Sequence, residues 1–163
     1  MPTYLLTWNP KLWSTAERKE FAGEIAITAS GEPYEMEWST GRRKNIREGD
    51  RLFIVRLGAE PKGIIAAGWA IGNSFEKEHW DRRKRAQGEK MWSVKGRYDR
   101  ILNTDSPAFE LPLSTSTADF AFEPLASIRW NPRQGGMEIP KDAAELLEEL
   151  WEDHLGEGNG ASN

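Results

Sequence analysis

The segment EMEWSTGRRKN, residues 35–45, combines residue types that suit the binding of an aromatic and anionic ligand. Trp38 offers a flat aromatic face, and the hydroxyls of Ser39 and Thr40 follow it directly. The cations that come next are Arg42, Arg43 and Lys44. The pattern is typical of a pocket wall beside a cationic rim, although a tryptophan near small hydroxyl residues is also common in a protein core.

The chain lacks the residues that most catalytic and metal centres require. It contains no cysteine, which excludes disulfides, thiolate zinc sites and cysteine nucleophiles. Its two histidines, His79 and His154, are too few for an HNH-type nuclease centre or a three-histidine zinc site. No P-loop, G-x-S-x-G or dinucleotide-binding motif occurs. We therefore expect a binding module without cofactor or metal, and not an enzyme.

Charge is distributed unevenly along the sequence. The formal net charge is −4 at pH 7, yet residues 138–163 carry eight acidic residues and one lysine. Residues 82–100, by contrast, carry eight basic residues and two acidic ones. Because local charge attracts anionic partners more strongly than net charge suggests, this basic segment indicates either a phosphate-contacting surface or a solvated basic face.

The length of 163 residues suits one domain, which we predict over residues 1–155, followed by a glycine-rich flexible tail over 156–163. No apolar run reaches the roughly 18–20 residues that a membrane span needs. The opening MPTYLLTWNP has no signal-peptide features. We expect a cytoplasmic protein that has no membrane partner.

Hydrophobic periodicity predicts a mixed α+β fold with a mostly antiparallel sheet. The predicted elements are a strand over 3–8, a helix over 15–28, an antiparallel hairpin within 51–72, a strand over 91–103 and a helix over 140–155. Trp38 is predicted at the edge of a polar loop. The segment over 76–90 is predicted as a surface loop or short helix, and residues 131–140 as a loop.

The order of several short motifs resembles a known family. TYLLTWNPKLW, EWSTG, IREGDRLFIVRLGAEPKGIIAAG, HW and IRWNPRQGGMEIP precede a helix that contains ELW, over roughly residues 3–151. This order is similar to that of EVE-type domains of the PUA-like superfamily, in particular the modules fused to HNH nucleases in modification-dependent restriction enzymes. It also resembles the related YTH domains, which read methylated adenine in RNA.

The resemblance implies a curled, barrel-like, mostly antiparallel sheet flanked by a few helices. It implies that a flipped modified base in DNA, 5-methylcytosine, 5-hydroxymethylcytosine or N6-methyladenine, sits between aromatic walls. The implied base-pocket residues are Trp8, Asn9, Trp38, Ser39, Thr40, Trp69 and Trp80. Trp38 matches the first wall best; Trp80 matches the second, with Trp69 as its competitor, although Trp69 lies in an apolar run that is typical of a core.

Physical considerations agree with such a pocket. Extruding a base costs a few kcal/mol, and stacking on aromatic side chains returns about 1–3 kcal/mol per base. An asparagine such as Asn9 suits the edge of an adenine-like base. The candidate phosphate contacts are Arg42, Arg43, Lys44, Arg56, Arg82, Arg83, Lys84, Arg85 and Arg133.

The expected partner is therefore nucleic acid, most simply modified DNA sensed for restriction or defence, with the nuclease supplied by a partner or a fused domain. Three alternatives stay open on sequence alone. The first is a YTH-like reader of modified RNA. The second is a small-molecule or nucleoside binder that uses a cation–π cage. The third is a scaffold in which the tryptophans are only core.

Overall fold

The computed structural model describes residues 2–9, 15–41, 43–56, 63–79, 81–102 and 136–161. These residues form seven strands and three helices: β1 (Thr3–Trp8), α1 (Thr15–Ala29), β2 (Tyr34–Gly41), β3 (Arg51–Arg56), β4 (Gly63–Ala70), β5 (Phe75–Glu78), α2 (Arg82–Ala86), β6 (Lys90–Ile101), β7 (Met137–Ile139) and α3 (Lys141–Ala161). The predicted first strand, first helix, hairpin, long strand and last helix are confirmed. Ser14, whose side chain suits the N-cap of α1 and stands three residues before Glu17, lies outside the described residues.

One sheet contains all seven strands, in the order β2-β6-β4-β3-β1-β7. Every pairing is antiparallel except that of β1 with β3. Ser93 of β6 pairs with Ser39 on one side and with Phe75 of β5 on the other. Strand β5 therefore lies across β6 from β2, on the side of β6 that also pairs with β4.

Three strands, β2, β5 and β7, occur where the sequence indicated loop. Strand β5 lies mostly in the segment over 76–90, of which the predicted short helix is confirmed as α2. In β2, Glu35 and Glu37 are exposed, whereas Tyr34, Met36 and Trp38 are partly buried. This alternation is the period of a strand with one face on the core, so the description of Trp38 as a loop-edge residue is wrong. The three-residue strand β7, inside the predicted loop over 131–140, forms by pairing with β1, which is a tertiary contact that local sequence does not encode.

The sheet curls so that its edge strand β2 meets β1. Trp38 Nε1 donates a hydrogen bond to the Thr7 carbonyl oxygen over 3.0 Å and so joins these two strands directly. Helix α1 packs on the concave side of the curl, where Phe21 is buried beside Trp8 and Tyr98. The result is a half-barrel whose interior is filled by side chains.

The convex face carries a second core, formed with α3. Leu147 and Trp151 of this helix are buried, and the Trp151 ring meets Phe53 edge-on at 6.2 Å. Arg51 of β3 also holds α3, because its guanidinium donates to both carboxylate oxygens of Glu148, over 2.7 Å and 3.2 Å. The two cores therefore place one helix on each face of the sheet.

Helix α3 continues to Ala161, beyond residue 155, where we predicted that the domain ends. Leu155, near that boundary, is partly buried against the convex core. Flexibility of residues 156–163 stays a prediction. In the part of the chain that the structure describes, no helix is both long and apolar enough to cross a membrane.

Tyr34 of β2 and Tyr98 of β6 pair with each other, and removing the hydroxyl group should change the stability of the protein differently at the two positions. Tyr34 OH donates to Glu24 Oε1 over 3.2 Å, whereas the Tyr98 hydroxyl is fully buried and has no hydrogen-bond partner among the described residues. Burial raises the pKa of Tyr98, so it stays neutral. We expect Tyr98→Phe to leave the free energy of unfolding unchanged or raise it by up to about 1 kcal/mol, and Tyr34→Phe to lower it by about 0.5–1.5 kcal/mol.

Urea denaturation of the two variants beside the wild type measures this difference. A clear loss of stability in Tyr98→Phe would show that its hydroxyl has a partner in solution, such as an ordered water molecule.

Candidate nucleic-acid interface

Trp38 lies at the seam between β1 and β2. Its indole nitrogen is held by Thr7, and its ring packs at 6.1 Å and 50° against Phe21 of α1. The side chain is nonetheless only partly buried. A partly exposed tryptophan that is fixed through its nitrogen and by a ring contact is a preorganised surface for stacking a planar group.

Trp8 and Asn9 end β1 next to this seam. Trp8 is 2% exposed and belongs to the concave core, and the Arg56 guanidinium lies 5.4 Å from its ring centroid. Asn9, one residue further, is partly exposed. Since Thr7 bonds directly to Trp38, the structure brings Trp8, Asn9 and Trp38 into one region, with Asn9 nearer to solvent than Trp8.

Ser39 and Thr40 take part in a tight turn at the end of β2. Thr40 is fully buried, and its hydroxyl donates to the Arg43 carbonyl oxygen over 2.7 Å, while Arg43 N donates back to the Thr40 carbonyl oxygen over 3.0 Å. Ser39 Oγ accepts a hydrogen bond from Gly41 N at 3.2 Å and is partly exposed. The Ser39 hydroxyl therefore keeps a proton to donate, whereas the Thr40 hydroxyl already donates internally.

Contacts that the sequence does not predict link this turn to β1 and to the residue before β7. Arg43 Nε donates to the Gly136 carbonyl oxygen over 2.7 Å, and the Arg43 guanidinium lies 5.6 Å from the Tyr4 ring centroid. Burial, with Glu138 and Asp50 nearby, raises the pKa of Tyr4, so this hydroxyl is neutral beside the cation. No local signal in the sequence links residue 43 to residue 136.

Trp69 lies on the opposite face of the sheet from Trp38. Its side chain is 39% exposed and stands near Trp151, whereas Trp38 packs on the concave core. The interpretation of Trp69 as a core residue is therefore wrong, because it lies on the outer face of β4, where the Arg51 guanidinium covers only part of its ring. A single base cannot lie between Trp38 and Trp69.

Three of the predicted contact residues, Trp80, Arg42 and Arg133, lie outside the described residues. The neighbours of residue 80 are ordered by local bonds: His79 Nδ1 accepts from Asp81 N at 3.0 Å, and the Asp81 carboxylate caps α2. These bonds fix the chain at the exit from β5.

The predicted phosphate contacts that the structure describes fall into two groups. In the first group, the side chains make contacts inside the protein. Arg56 is 6% exposed, and Arg43 donates a hydrogen bond to the Gly136 carbonyl oxygen and lies over the Tyr4 ring. Lys44, by contrast, is exposed, with its ammonium 5.6 Å from the Trp92 ring centroid. The four cations of α2, Arg82–Arg85, are exposed as well.

We call Lys44 and Arg82–Arg85 the basic rim. Lys44 and α2 both lie at the start of β6. The Lys44 ammonium stands over Trp92, the third residue of β6, and α2 directly precedes Lys90, the first residue of that strand. Because Trp92 also pairs with Gly41, the basic rim lies at the end of the sheet where β2 finishes after Trp38. Among the described residues, no three His, Asp or Glu side chains meet in a way that could hold a metal ion.

Solved structures resemble this architecture over nearly its full length. One is human THYN1 protein in complex with 5-methylcytosine containing DNA, with a TM-score of 0.56 at 13% identity over 92% of this chain and 97% of that chain. The fold is PUA-like. The PUA-like fold predicted from the sequence, a curled and mostly antiparallel sheet flanked by helices, is thus confirmed.

The structures of two bacterial proteins are also similar to that of this chain. Protein PSPTO5229 from Pseudomonas syringae gives a TM-score of 0.54 at 14% identity, and a protein from Pseudomonas putida gives 0.52 at 15%; each match covers 91% of this chain and 98% of the other. No family model and no curated protein matches the chain. At these identities the likeness concerns the fold.

Proposed function

We propose that this protein is a non-enzymatic binding module of EVE type that recognises a modified base in DNA. The observation that carries the proposal is Trp38, a partly buried indole fixed at the seam of a PUA-like half-barrel by its bond to Thr7. The presence of 5-methylcytosine containing DNA in the complex of human THYN1, which has the same fold, supports this class of ligand.

In the proposed complex, the modified base leaves the duplex and stacks on Trp38. Asn9 and Ser39 are partly exposed and carry polar side chains of the kind that bonds a base edge, whereas Trp8 and Thr40 shape the pocket from behind. Trp80 supplies the second aromatic wall. Extrusion costs a few kcal/mol, and stacking on two aromatic rings at about 1–3 kcal/mol each offsets that cost.

The basic rim supplies phosphate contacts in this proposal. Its cations are exposed and lie at the end of the sheet that follows Trp38, so they can contact the backbone on one side of the extruded base. Such contacts strengthen binding to any sequence and weaken as salt rises, whereas the pocket provides discrimination. We further propose that the module serves as the sensor of a modification-dependent restriction or defence system, with a nuclease as partner or fused domain.

The direct test is a set of duplexes that are identical except at one position. That position carries cytosine, 5-methylcytosine, 5-hydroxymethylcytosine, adenine or N6-methyladenine, and binding is followed by fluorescence polarisation at two salt concentrations. We expect tighter binding to one modified duplex at both concentrations. Equal affinity for all five duplexes would contradict the proposal, and tighter binding to the same modified base in RNA would identify an RNA reader instead.

The basic rim gives a separate expectation about salt dependence. The double variant Arg82→Gln, Arg83→Gln should weaken binding to modified and unmodified duplexes by the same factor and reduce the slope of log K against log salt by about 1–2. The matched control is Lys141→Gln, which removes an exposed cation at the start of α3. Unchanged slopes in the double variant would exclude α2 from the DNA interface.

A further inference from the structure

A second concave site lies on the convex face of the sheet, between β4, β6 and α3. This α3 cleft has a volume of about 510 Å³ and is lined by apolar groups of Ala67, Leu102 and Leu155 together with the exposed ring of Trp69. Trp38 is on the other face, so the α3 cleft is separate from the proposed base pocket. Trp69 is one of only two large apolar side chains that are exposed in the described part of the chain.

The Trp69 ring is covered on one side by a cation. The Arg51 guanidinium covers its ring at 3.9 Å, and that cation is in turn neutralised by Glu148 and bonded to the Gly68 carbonyl oxygen at 3.1 Å. Because the Arg51 charge is compensated, it does not repel a second cation from the exposed part of the indole. The ring is therefore a preorganised surface for a further cation–π contact.

The charges that line the α3 cleft favour a cationic ligand. Asp99 and Glu152 form no ion pair among the described residues. Together with Glu148 they place three carboxylates in the lining, against the two guanidinium groups of Arg51 and Arg100. Because the carboxylates outnumber the guanidinium groups and Glu148 already pairs with Arg51, the cleft attracts a cation.

The surroundings of the α3 cleft disfavour nucleic acid. Exposed residues of α3 outside the cleft include the acidic Glu145, Glu149 and Asp153, so a phosphate backbone would be repelled from this face. A basic polypeptide has the complementary charge. The α3 cleft therefore suits a cationic partner, whereas the basic rim suits an anionic one.

We propose that the α3 cleft docks a basic segment of a partner protein. An arginine or lysine side chain of that segment lies on the exposed part of Trp69 within reach of Asp99 and Glu152. The protein then contacts DNA with one face and a protein partner with the other. This docking does not depend on whether the concave face reads a modified base.

A blocked hexapeptide of alternating glycine and arginine is the probe. The control is the same peptide with citrulline in place of arginine, which keeps the shape and removes the charge. Titration into the ¹⁵N-labelled full chain should shift the Trp69 indole N–H signal with the arginine peptide but not with the citrulline peptide. The arginine peptide should also shift this signal in Trp38→Ala, since the two sites are separate.

Matched charge variants distinguish a built site from attraction to an acidic helix. Glu152→Gln removes a carboxylate that lines the α3 cleft, whereas Glu149→Gln removes an exposed carboxylate of the same helix outside it. We expect Glu152→Gln and Trp69→Ala each to weaken binding about fivefold, and Glu149→Gln to leave it unchanged. Equal effects of the two glutamate variants, equal binding of the citrulline peptide, or no shift of Trp69 would each overturn the proposal.

Discussion

Replacing Trp38 with alanine should weaken binding of the preferred modified duplex by about 10- to 100-fold, the contribution of stacking one base on an aromatic ring. Binding to the unmodified duplex should change less, because the basic rim is intact. Trp38 also packs on Phe21 and bonds to Thr7, so some loss of stability accompanies the change. Affinities of both duplexes, measured by fluorescence polarisation well below the melting temperature, give the comparison.

Two variants control this experiment. Trp38→Phe keeps an aromatic face and contact with Phe21 but loses the bond to Thr7, and it should retain part of the preference for the modified base. Trp69→Ala removes a more exposed tryptophan on the opposite face and should leave DNA affinity unchanged. A folded Trp38→Ala protein that binds the modified duplex as tightly as the wild type would refute the assignment of Trp38.

Gly136→Ala should lower the free energy of unfolding by about 2–4 kcal/mol, one of the largest effects of a single methyl group in this protein. Gly136 has φ +71°, which is unfavourable for alanine, and an added Cβ would lie 2.3 Å from the Thr40 carbonyl oxygen and 2.6 Å from Arg43 Cβ. The turn that follows Trp38 would have to move. Thermal and urea denaturation measure the loss.

Gly88→Ala separates the effect of the positive φ from the effect of the steric clash. Gly88 has a similar φ of +77°, but nothing lies within 4 Å of an added Cβ. Gly88→Ala should therefore lower the free energy of unfolding by only about 1 kcal/mol, the cost of the backbone conformation alone. If both variants lose the same stability, the close approach of Gly136 to Thr40 is not present in solution. We expect the Gly136 variant to lose DNA affinity as well, through displacement of the turn.

Much of the fold follows from local patterns in the sequence. The apolar run of β1, the helical spacing that places Phe21 on the core, and the stripe of Leu147 and Trp151 each predict an element that the structure contains. Strand β7 was missed because three residues carry too little pattern, and they become a strand only by pairing with β1. Strands β2 and β5 were missed as well, because their polar and charged residues resemble a loop and they form strands by pairing with β6. Local signals thus predict the elements with a clear apolar pattern, and pairing with a neighbouring strand determines the others.

The candidate site was predictable in part. Trp38, Ser39 and the basic segment could be singled out by residue type, and the structure gives the first two a partly exposed position next to Asn9. Trp69 could not be assigned to a face from sequence, because β4 is apolar on both sides and its period-2 signal is lost. The bond from Arg43 to Gly136 spans 93 residues and has no local signature.

The most direct test of a base pocket at Trp38 is an NMR titration of the ¹⁵N-labelled protein, which has eight tryptophans and hence eight indole N–H signals. Two duplexes are added in parallel, identical except for 5-methylcytosine in place of one cytosine. The proposal predicts that the Trp38 signal shifts with the methylated duplex and much less with the unmethylated one, while the Trp69 signal stays in place with both. A Trp38 signal that stays in place, or that responds equally to the two duplexes, would contradict it.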